Sequence, residues 1–300
     1  MNIIEFKFAN FKSYKDEVVV DFTALESDYL AMNTFQYSVE NTIGSLLKTI
    51  AILGPNASGK SNVIWALRAF RYFISESRKF AVDSRMQHDP FLLHTEQIDA
   101  PTTFYMKFVL RETIYSYQYS YDSTHFLSEQ LVRYTSTEEQ YTIFNRLDTG
   151  VVVSDNNVLG KFLNKHKHTT VLPNHLVLSE SAIWEPNMLQ HIYAELSSIH
   201  AEVNYGLINL KANASTIAEF ILRDNSSGIT KQLEKLLTIS DIGINSMNII
   251  RHGDQEFVLP NTLSEDVKKE IIERNRWEFR FGHKNRNNEV VEFQLDEEYV

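Results

Sequence analysis

The sequence predicts an α/β fold, and three features of the chain indicate it. A mostly apolar run at 46–53 leads into a glycine-rich loop at 54–61, and apolar residues then recur at helical spacing as far as residue 80. Residues 102–146 alternate apolar and polar side chains in successive runs, which is typical of an antiparallel meander. Residues from about 158 to 238 have a helical and loop-rich character. The expected architecture is a strand–loop–helix core with an antiparallel β-subdomain and a helical insertion.

The N-terminal residues 1–25 predict two strands joined by a polar turn. Ile4, Phe6 and Phe8 alternate with other side chains in the first run, and the second run at 18–22 is rich in β-branched and aromatic residues. The residues between the two runs are mostly polar, as the turn of such a pair requires.

The next two elements are a strand and a helix. The run at 46–53 predicts a strand that is covered on both faces, because almost all of its residues are apolar. Val63, Leu67 and Phe70 recur at helical spacing and predict an amphipathic helix over 60–80. The glycine-rich loop would then connect the end of a buried strand to the start of a helix.

Four tyrosines fall on one face of the predicted meander. Tyr115, Tyr117, Tyr119 and Tyr121 are spaced at the period of two that places side chains on the same side of a strand. Such a stripe either stacks nucleobases or packs inside the protein, and the second role is the more frequent one.

The remaining segments predict short helices and further strands. Helices are expected at 188–198, 216–222, 229–237 and 264–274. Strands are expected at 244–250, 256–259, 277–281 and 290–295, with the last two forming a hairpin.

The composition is that of an ordinary globular protein and excludes several functional classes. Hydrophobic residues make up 43% of the 300 residues, and no apolar run is long enough to span a membrane. The first residues lack the features of a signal peptide, and the absence of cysteine excludes a disulfide framework, a thiolate zinc site and a cysteine nucleophile. The formal net charge of -10 argues against a surface that coats nucleic acid. A cytoplasmic protein is therefore expected.

The loop Gly54-x-x-x-x-Gly59-Lys60-Ser61 fits the phosphate-binding pattern in full. Glycines let backbone N–H groups turn inward around a polyphosphate, and the following helix adds its dipole and its free amides. Lys60 would neutralise the β- and γ-phosphates, and the Ser61 hydroxyl would coordinate Mg²⁺. A chance glycine–lysine turn is the alternative, but the run before the loop and the helix after it meet the context that the motif requires. The sequence therefore predicts binding of ATP with Mg²⁺.

The residue types within the loop narrow the family. The loop at 54–62 resembles that of the ABC-type ATPase heads of the SMC and double-strand-break-repair group, and residues 10–14, Asn-Phe-Lys-Ser-Tyr, resemble the opening motif of those heads. Ala57 and the short chain look most like the AAA-type ATPases of prokaryotic abortive-infection and phage-defence operons, which are relatives of the OLD proteins. The resemblance implies a P-loop NTPase core of ABC-head type. It implies that the nucleotide is contacted by Gly54, Pro55, Asn56, Ala57, Ser58, Gly59, Lys60, Ser61 and Asn62, with Ser61 also binding the metal.

Two further residues carry over from the resemblance. Lys12 matches the basic residue of the opening motif, which in related heads reaches toward the nucleotide phosphates; a solvated turn lysine is the alternative. Gln130 lies nearest to the position of the glutamine that orients Mg²⁺ and the attacking water, and an exposed polar strand residue is its alternative.

The resemblance implies three parts, and it also indicates what the sequence lacks. The three parts are an ATP-binding N-lobe at 1–150, a helical insertion or lid at 151–260, and a return to the core sheet at 261–300. The last part ends before the expected signature and Walker B segments. No paired carboxylates follow an apolar strand elsewhere in the sequence. The 300-residue chain is therefore expected to bind ATP and to need a further lobe for turnover.

The function that this resemblance implies is ATP binding by an SMC-like ATPase that gates an effector, a nuclease or a toxin, in bacterial defence against phage. Assembly as a homodimer or larger complex through ATP-bound heads is implied with it, DNA is left open as a partner, and no membrane association is expected. One alternative is a DNA-repair ATPase head. The other is a regulatory pseudo-ATPase that binds nucleotide without turning it over.

Overall fold

The computed structural model is mixed α/β and divides into two compact units, Met1–Val203 and Asn204–Val300. It describes residues 1–25, 31–39, 42–135, 139–147, 150–152, 171–183, 188–202, 214, 217–222, 228–239, 243–260, 262–285 and 287–294. Among these residues, no helix combines the length and the apolarity that crossing a membrane requires.

The first unit is built on a large antiparallel sheet with a separate hairpin. The strands are β1 (Asn2–Ala9), β2 (Val18–Asp21), β3 (Thr34–Val39), β4 (Thr42–Leu47), β5 (Thr102–Leu110), β6 (Thr113–Tyr121), β7 (Phe126–Tyr134), β8 (Gln140–Leu147) and β9 (Gly150–Val152). Seven of them form one sheet in the order β2-β1-β5-β6-β7-β8-β9, and β3 pairs with β4 alone. The meander predicted at 102–146 and the strand pair predicted within 1–25 are confirmed, because both follow from local alternation of apolar and polar residues.

Helix α1 (Lys60–Glu76) covers one face of the large sheet. The Phe70 ring stacks on the Tyr119 ring with centroids 5.6 Å apart, and the Tyr119 hydroxyl donates to the Phe70 carbonyl at 2.9 Å. The helix predicted at 60–80 is confirmed as far as residue 76, where a 3-10 turn, Ser77–Lys79, continues it. The residues of α1 buried in the core are Val63, Ala66, Phe70, Phe73 and Ile74.

The tyrosine stripe of β6 lies on the face of the sheet that packs against α1. Tyr115, Tyr117, Tyr119 and Tyr121 are each at most 3% exposed and pack in one cluster with α1. Burial raises the pKa of the Tyr117 and Tyr119 hydroxyls, because a buried phenolate would lose its hydration. The stripe is therefore a packed sheet face, and its burial excludes stacking of nucleobases on it.

Among the described residues of the first unit, three helices follow α1. They are α2 (Thr95–Ile98), α3 (Val177–Ser181) and α4 (Met188–Ser197). The last confirms the helix predicted at 188–198. Leu178 of α3 and Ile192 of α4 are fully buried in the same core cluster as α1 and the tyrosines. The first unit therefore continues well past residue 150.

A buried carboxylate joins α3 to the sheet. Glu129 on β7 is 0% exposed and accepts from the Val177 N–H at 2.6 Å, the Leu178 N–H at 3.0 Å and the Tyr117 hydroxyl at 2.8 Å. Burial raises the pKa of the Glu129 carboxyl, although the Arg146 guanidinium and these donors favour its charged form. A single side chain thus satisfies backbone groups from a segment that comes 48 residues later.

The buried strand predicted at 46–53 is wrong for most of its length. β4 ends at Leu47, and residues 48–55 form neither helix nor strand. Ile52 is 40% exposed and Leu53 is 89% exposed. In the described part of the chain, no strand pairs with this segment beyond the end of β4. An apolar run becomes a central strand only where neighbouring strands satisfy its backbone, so composition alone was not sufficient.

The second unit is a three-stranded sheet with helices. Its elements are α5 (Gly228–Ile239), β10 (Ile244–Arg251), α6 (Glu265–Asn275), β11 (Trp277–Lys284) and β12 (Val290–Gln294). The sheet order is β10-β11-β12, with antiparallel pairing throughout. These elements confirm the helices predicted at 229–237 and 264–274 and the hairpin predicted at the end of the chain; residues 217–222 are helical as well.

The strand predicted at 256–259 is wrong. A 3-10 turn, Asp254–Glu256, follows β10, and β10 pairs with β11 instead. The Glu256 carboxylate accepts from the Gly253 N–H at 2.7 Å and faces the His252 ring at 2.9 Å, so local polar contacts hold this segment in a turn.

The two units differ from the organisation expected from the sequence. The first unit ends at Val203 and includes α3 and α4, which fall inside the expected insertion at 151–260. β11 and β12 were expected to return to the core sheet within 261–300, but β11 pairs with β10 on one side and with β12 on the other. The functional roles assigned to the three parts stay predictions.

Candidate functional site

The loop lies at the start of α1, with residues 54–58 exposed and Gly59 partly buried. Gly59 is the N-cap residue of the helix, has φ +91° and makes no side-chain cap. That left-handed conformation suits glycine, which has no Cβ to collide with the following carbonyl. Ala57 has φ +62° in the same loop, a conformation that is uncommon for a residue with a side chain. The N–H groups of the first helical turn are therefore left without a local side-chain cap.

Both motif glycines stand where a side chain would not fit. A Cβ on Gly59 would lie 2.5 Å from Ser13 Oγ, and a Cβ on Gly54 would lie 2.9 Å from Ser58 Oγ. At both glycines a serine hydroxyl thus lies close to the backbone, on the side where a Cβ would stand. Such an arrangement fits a polyphosphate, which needs close approach to backbone N–H groups.

The Lys60 side chain folds back over this loop. Its ammonium group donates to the Gly54 carbonyl at 2.8 Å and to the Pro55 carbonyl at 2.5 Å. The only positive charge of the motif is therefore already held at the loop, bonded to neutral carbonyl groups. A phosphate oxygen would make a stronger, charge-assisted bond with the same group.

Ser61 and Asn62 follow in the first turn of α1. Ser61 is exposed. The Asn62 side-chain amide donates to Ser13 Oγ at 2.8 Å, and the Tyr14 hydroxyl donates to the Gly59 carbonyl at 3.3 Å. The structure thus brings Ser13 and Tyr14 of the opening motif against the start of the helix.

Lys12 lies in this opening turn but is engaged elsewhere. Its ammonium group pairs with the Asp89 carboxylate at 3.1 Å and lies 5.5 Å from the centroid of the Trp65 ring. Its backbone N–H also donates to the Asp89 carbonyl at 2.7 Å. Lys12 is therefore neither a free solvated lysine nor bonded to the loop.

The structure does not bring Gln130 to the loop. Its side-chain carbonyl accepts from the Gln118 amide at 2.8 Å. Gln118 alternates along β6 with Tyr117 and Tyr119, whose side chains face α1, so Gln118 and Gln130 lie on the opposite face of the sheet. A role for Gln130 in orienting Mg²⁺ or water stays a prediction.

A metal site built only from protein side chains is absent from the described residues, since none of them form a group of three or more His, Asp or Glu suited to one. Mg²⁺ that arrives with ATP does not need such a group, because phosphate oxygens and water fill most of its octahedral shell. The exposed hydroxyl of Ser61, next to Lys60, is the protein ligand that fits this arrangement.

A cleft of about 230 Å³ lies beside Lys12, and the sequence did not predict it. Trp65, Arg68 and Tyr72 line it from α1, and Asp89 lines it from the opposite side. The Arg68 guanidinium lies 5.0 Å from the Trp65 ring centroid. The spacing of three, then four, residues along α1 is the signal that could have indicated this shared face.

One family model matches the chain. Residues 50–188, just under half of the sequence, match the model described as "AAA domain, putative AbiEii toxin, Type IV TA system". The match spans the loop, α1, the meander and α3. It supports a P-loop ATPase of the AAA type related to abortive infection. No curated protein matches the chain significantly.

Proposed function

We propose that the chain binds ATP with Mg²⁺ at the loop 54–61 and that this binding controls an effector in abortive infection. One observation carries the binding part: a left-handed glycine without a side-chain cap, Gly59, opens α1 directly beside a lysine that already lies over the loop. The family match over 50–188 supports the same assignment.

Different residues of the loop and of α1 would bind different parts of Mg-ATP. Gly54 and Gly59 let the backbone approach the phosphates, and the first turn of α1 contributes N–H groups and the positive end of its dipole. Lys60 exchanges two carbonyl partners for phosphate oxygens. The Ser61 hydroxyl would hold Mg²⁺, which neutralises charge on the β- and γ-phosphates when it is bound.

The proposal also includes an effector that the chain controls and an assembly that it forms. The matched family description names a toxin and a toxin–antitoxin system, which supports control of a toxic activity. We extend this to an SMC-like head that assembles as a homodimer or larger complex when nucleotide is bound, and that gates a nuclease or toxin during phage infection. Sedimentation of the chain with and without Mg-ATP tests the assembly, and an unchanged sedimentation coefficient would contradict it.

Ser61→Ala is expected to reduce affinity for Mg-ATP more than affinity for metal-free ATP, because the hydroxyl is assigned to the metal. Calorimetric titration of the full chain with ATP, in Mg²⁺ and in EDTA, measures both affinities. The unmodified chain should bind one Mg-ATP with saturation, and no saturable binding would contradict the proposed site. Equal fold-changes under the two conditions would leave Ser61 as a helix-start residue only.

A regulatory module that binds nucleotide without turnover is the second candidate function. One observation favours it: no paired carboxylates follow a run of four apolar residues in the sequence, which is where the base of related ATPases is expected. Hydrolysis needs a base that positions the attacking water, and loss of a base typically lowers the rate by about 10²–10⁴.

The isolated chain is therefore expected to release phosphate from ATP at or near the background rate. A phosphate-release assay across a range of protein concentrations measures this, with Lys60→Ala as the baseline. Turnover that rises with concentration and is abolished by Lys60→Ala would assign a base within this chain and favour the enzyme over the regulatory module.

A further inference from the structure

The first turn of α1 is stabilised by contacts from outside the helix. Its N-cap residue, Gly59, has no side chain that could accept the N–H groups of that turn. Two contacts from the opening turn hold this helix start in place, although neither accepts a backbone N–H of the first turn. The Tyr14 hydroxyl donates to the Gly59 carbonyl at 3.3 Å, and the Asn62 side-chain amide donates to Ser13 Oγ at 2.8 Å. These contacts span 45 and 49 residues, so they join two separate elements of the unit.

The opening turn is itself firmly attached to its surroundings. Asn10 is 3% exposed; its side-chain amide donates to the Ala100 carbonyl at 2.7 Å, and its side-chain oxygen accepts from the Phe91 N–H at 3.0 Å. Phe11 and Tyr14 exchange two backbone hydrogen bonds, each 2.9 Å long. A turn with these anchors can serve as a fixed support, whereas a loop held only by solvent could not.

We propose that Ser13 and Asn62 are positioning residues for the phosphate loop, a role that rests on the proposed nucleotide site. Ser13 Oγ lies against Gly59 so closely that a Cβ there would be 2.5 Å away. The hydroxyl also holds Asn62, the third residue of α1, and thereby sets the direction of the first-turn N–H groups. Without this bond, the loop and helix start sample more orientations, and phosphate binding must order them.

A double-mutant cycle on nucleotide affinity tests the proposal. Ser13→Ala, Asn62→Ala and the double variant are titrated with Mg-ATP by calorimetry. Each single substitution is expected to lower affinity about 3- to 10-fold, since one neutral hydrogen bond is lost. The double variant should lose little more than either single one, because both substitutions remove the same bond. Ser75→Ala is the matched control: its hydroxyl bonds locally to the Tyr72 carbonyl on the same helix, and affinity should not change.

Thermal unfolding of the ligand-free variants separates positioning from folding. Melting temperatures are expected to change by less than about 4 °C while affinity falls. Unchanged affinities in both single variants, or losses that multiply in the double variant, would overturn the positioning role while the proposed function stands. Affinity losses that follow the melting temperatures alone would overturn it as well. Absence of Mg-ATP binding by the unmodified chain would overturn the proposed function and this role with it.

Discussion

Lys60→Ala is expected to weaken Mg-ATP binding by more than tenfold, corresponding to the loss of one charge-assisted contact of about 1.5–3 kcal/mol. The substitution removes the cation that lies over the loop but keeps the glycines and the helix start, so the backbone part of the site remains. In the free protein, it also removes two bonds to the exposed Gly54 and Pro55 carbonyls, which water can replace at little cost. The effect should therefore appear in affinity and not in folding.

A matched control separates this local effect from the loss of net charge. Lys79→Ala removes the same charge from an exposed lysine, 64% accessible, that pairs with Glu76 at the far end of α1. The affinity of Lys79→Ala for Mg-ATP should be close to that of the unmodified chain, since the interaction between exposed charges more than about 10 Å apart is screened at ordinary ionic strength. Equal affinities of Lys60→Ala and the unmodified chain in calorimetry would contradict the phosphate-loop assignment.

Glu129→Ala is expected to destabilise the first unit by about 3–5 kcal/mol, because it removes the acceptor of two buried N–H groups and one buried hydroxyl. The Val177 and Leu178 N–H groups would each lose their acceptor inside the core, and the Arg146 guanidinium would lose its nearby negative charge. Urea unfolding followed by circular dichroism measures the shift of the midpoint.

Two companion variants show which part of the network matters. Tyr117→Phe removes a single donor to Glu129 and should cost about 1 kcal/mol. Glu139→Ala removes an exposed carboxylate beside the same sheet and should change stability by no more than about 0.5 kcal/mol. A midpoint for Glu129→Ala as close to wild type as that of Glu139→Ala would show that the buried network does not stabilise the fold.

Elements that depend on local sequence could be predicted, and those that depend on distant neighbours could not. The meander and α1 follow from alternation and helical spacing, which each segment carries by itself. The run at 46–53 has the composition of a central strand, but pairing requires neighbouring strands, and the described residues provide none beyond Leu47. The segment at 256–259 likewise does not form a strand, because β10 pairs with β11, which lies further along the chain.

In the candidate site, too, the residues in a contiguous motif could be predicted, and those with distant partners could not. The loop glycines and Lys60 could be predicted because the motif is contiguous and its conformational demands are local. The pairing of Lys12 with Asp89 joins residues 77 positions apart, and no spacing rule connects them. Nothing in the sequence distinguishes Glu129 from other strand residues, since two of its three donors come from a helix whose position only the folded chain defines.

The Gly54 and Pro55 carbonyls, which accept hydrogen bonds from Lys60, compete with an incoming anion for its ammonium group. An incoming anion gains only the difference between its attraction to the ammonium group and the attraction of two carbonyl dipoles. Chloride or acetate brings a single charge and gains little by this exchange, whereas a polyphosphate brings several charges to the same position. A polyphosphate is therefore expected to displace the two carbonyl groups from Lys60 more readily than a monoanion does.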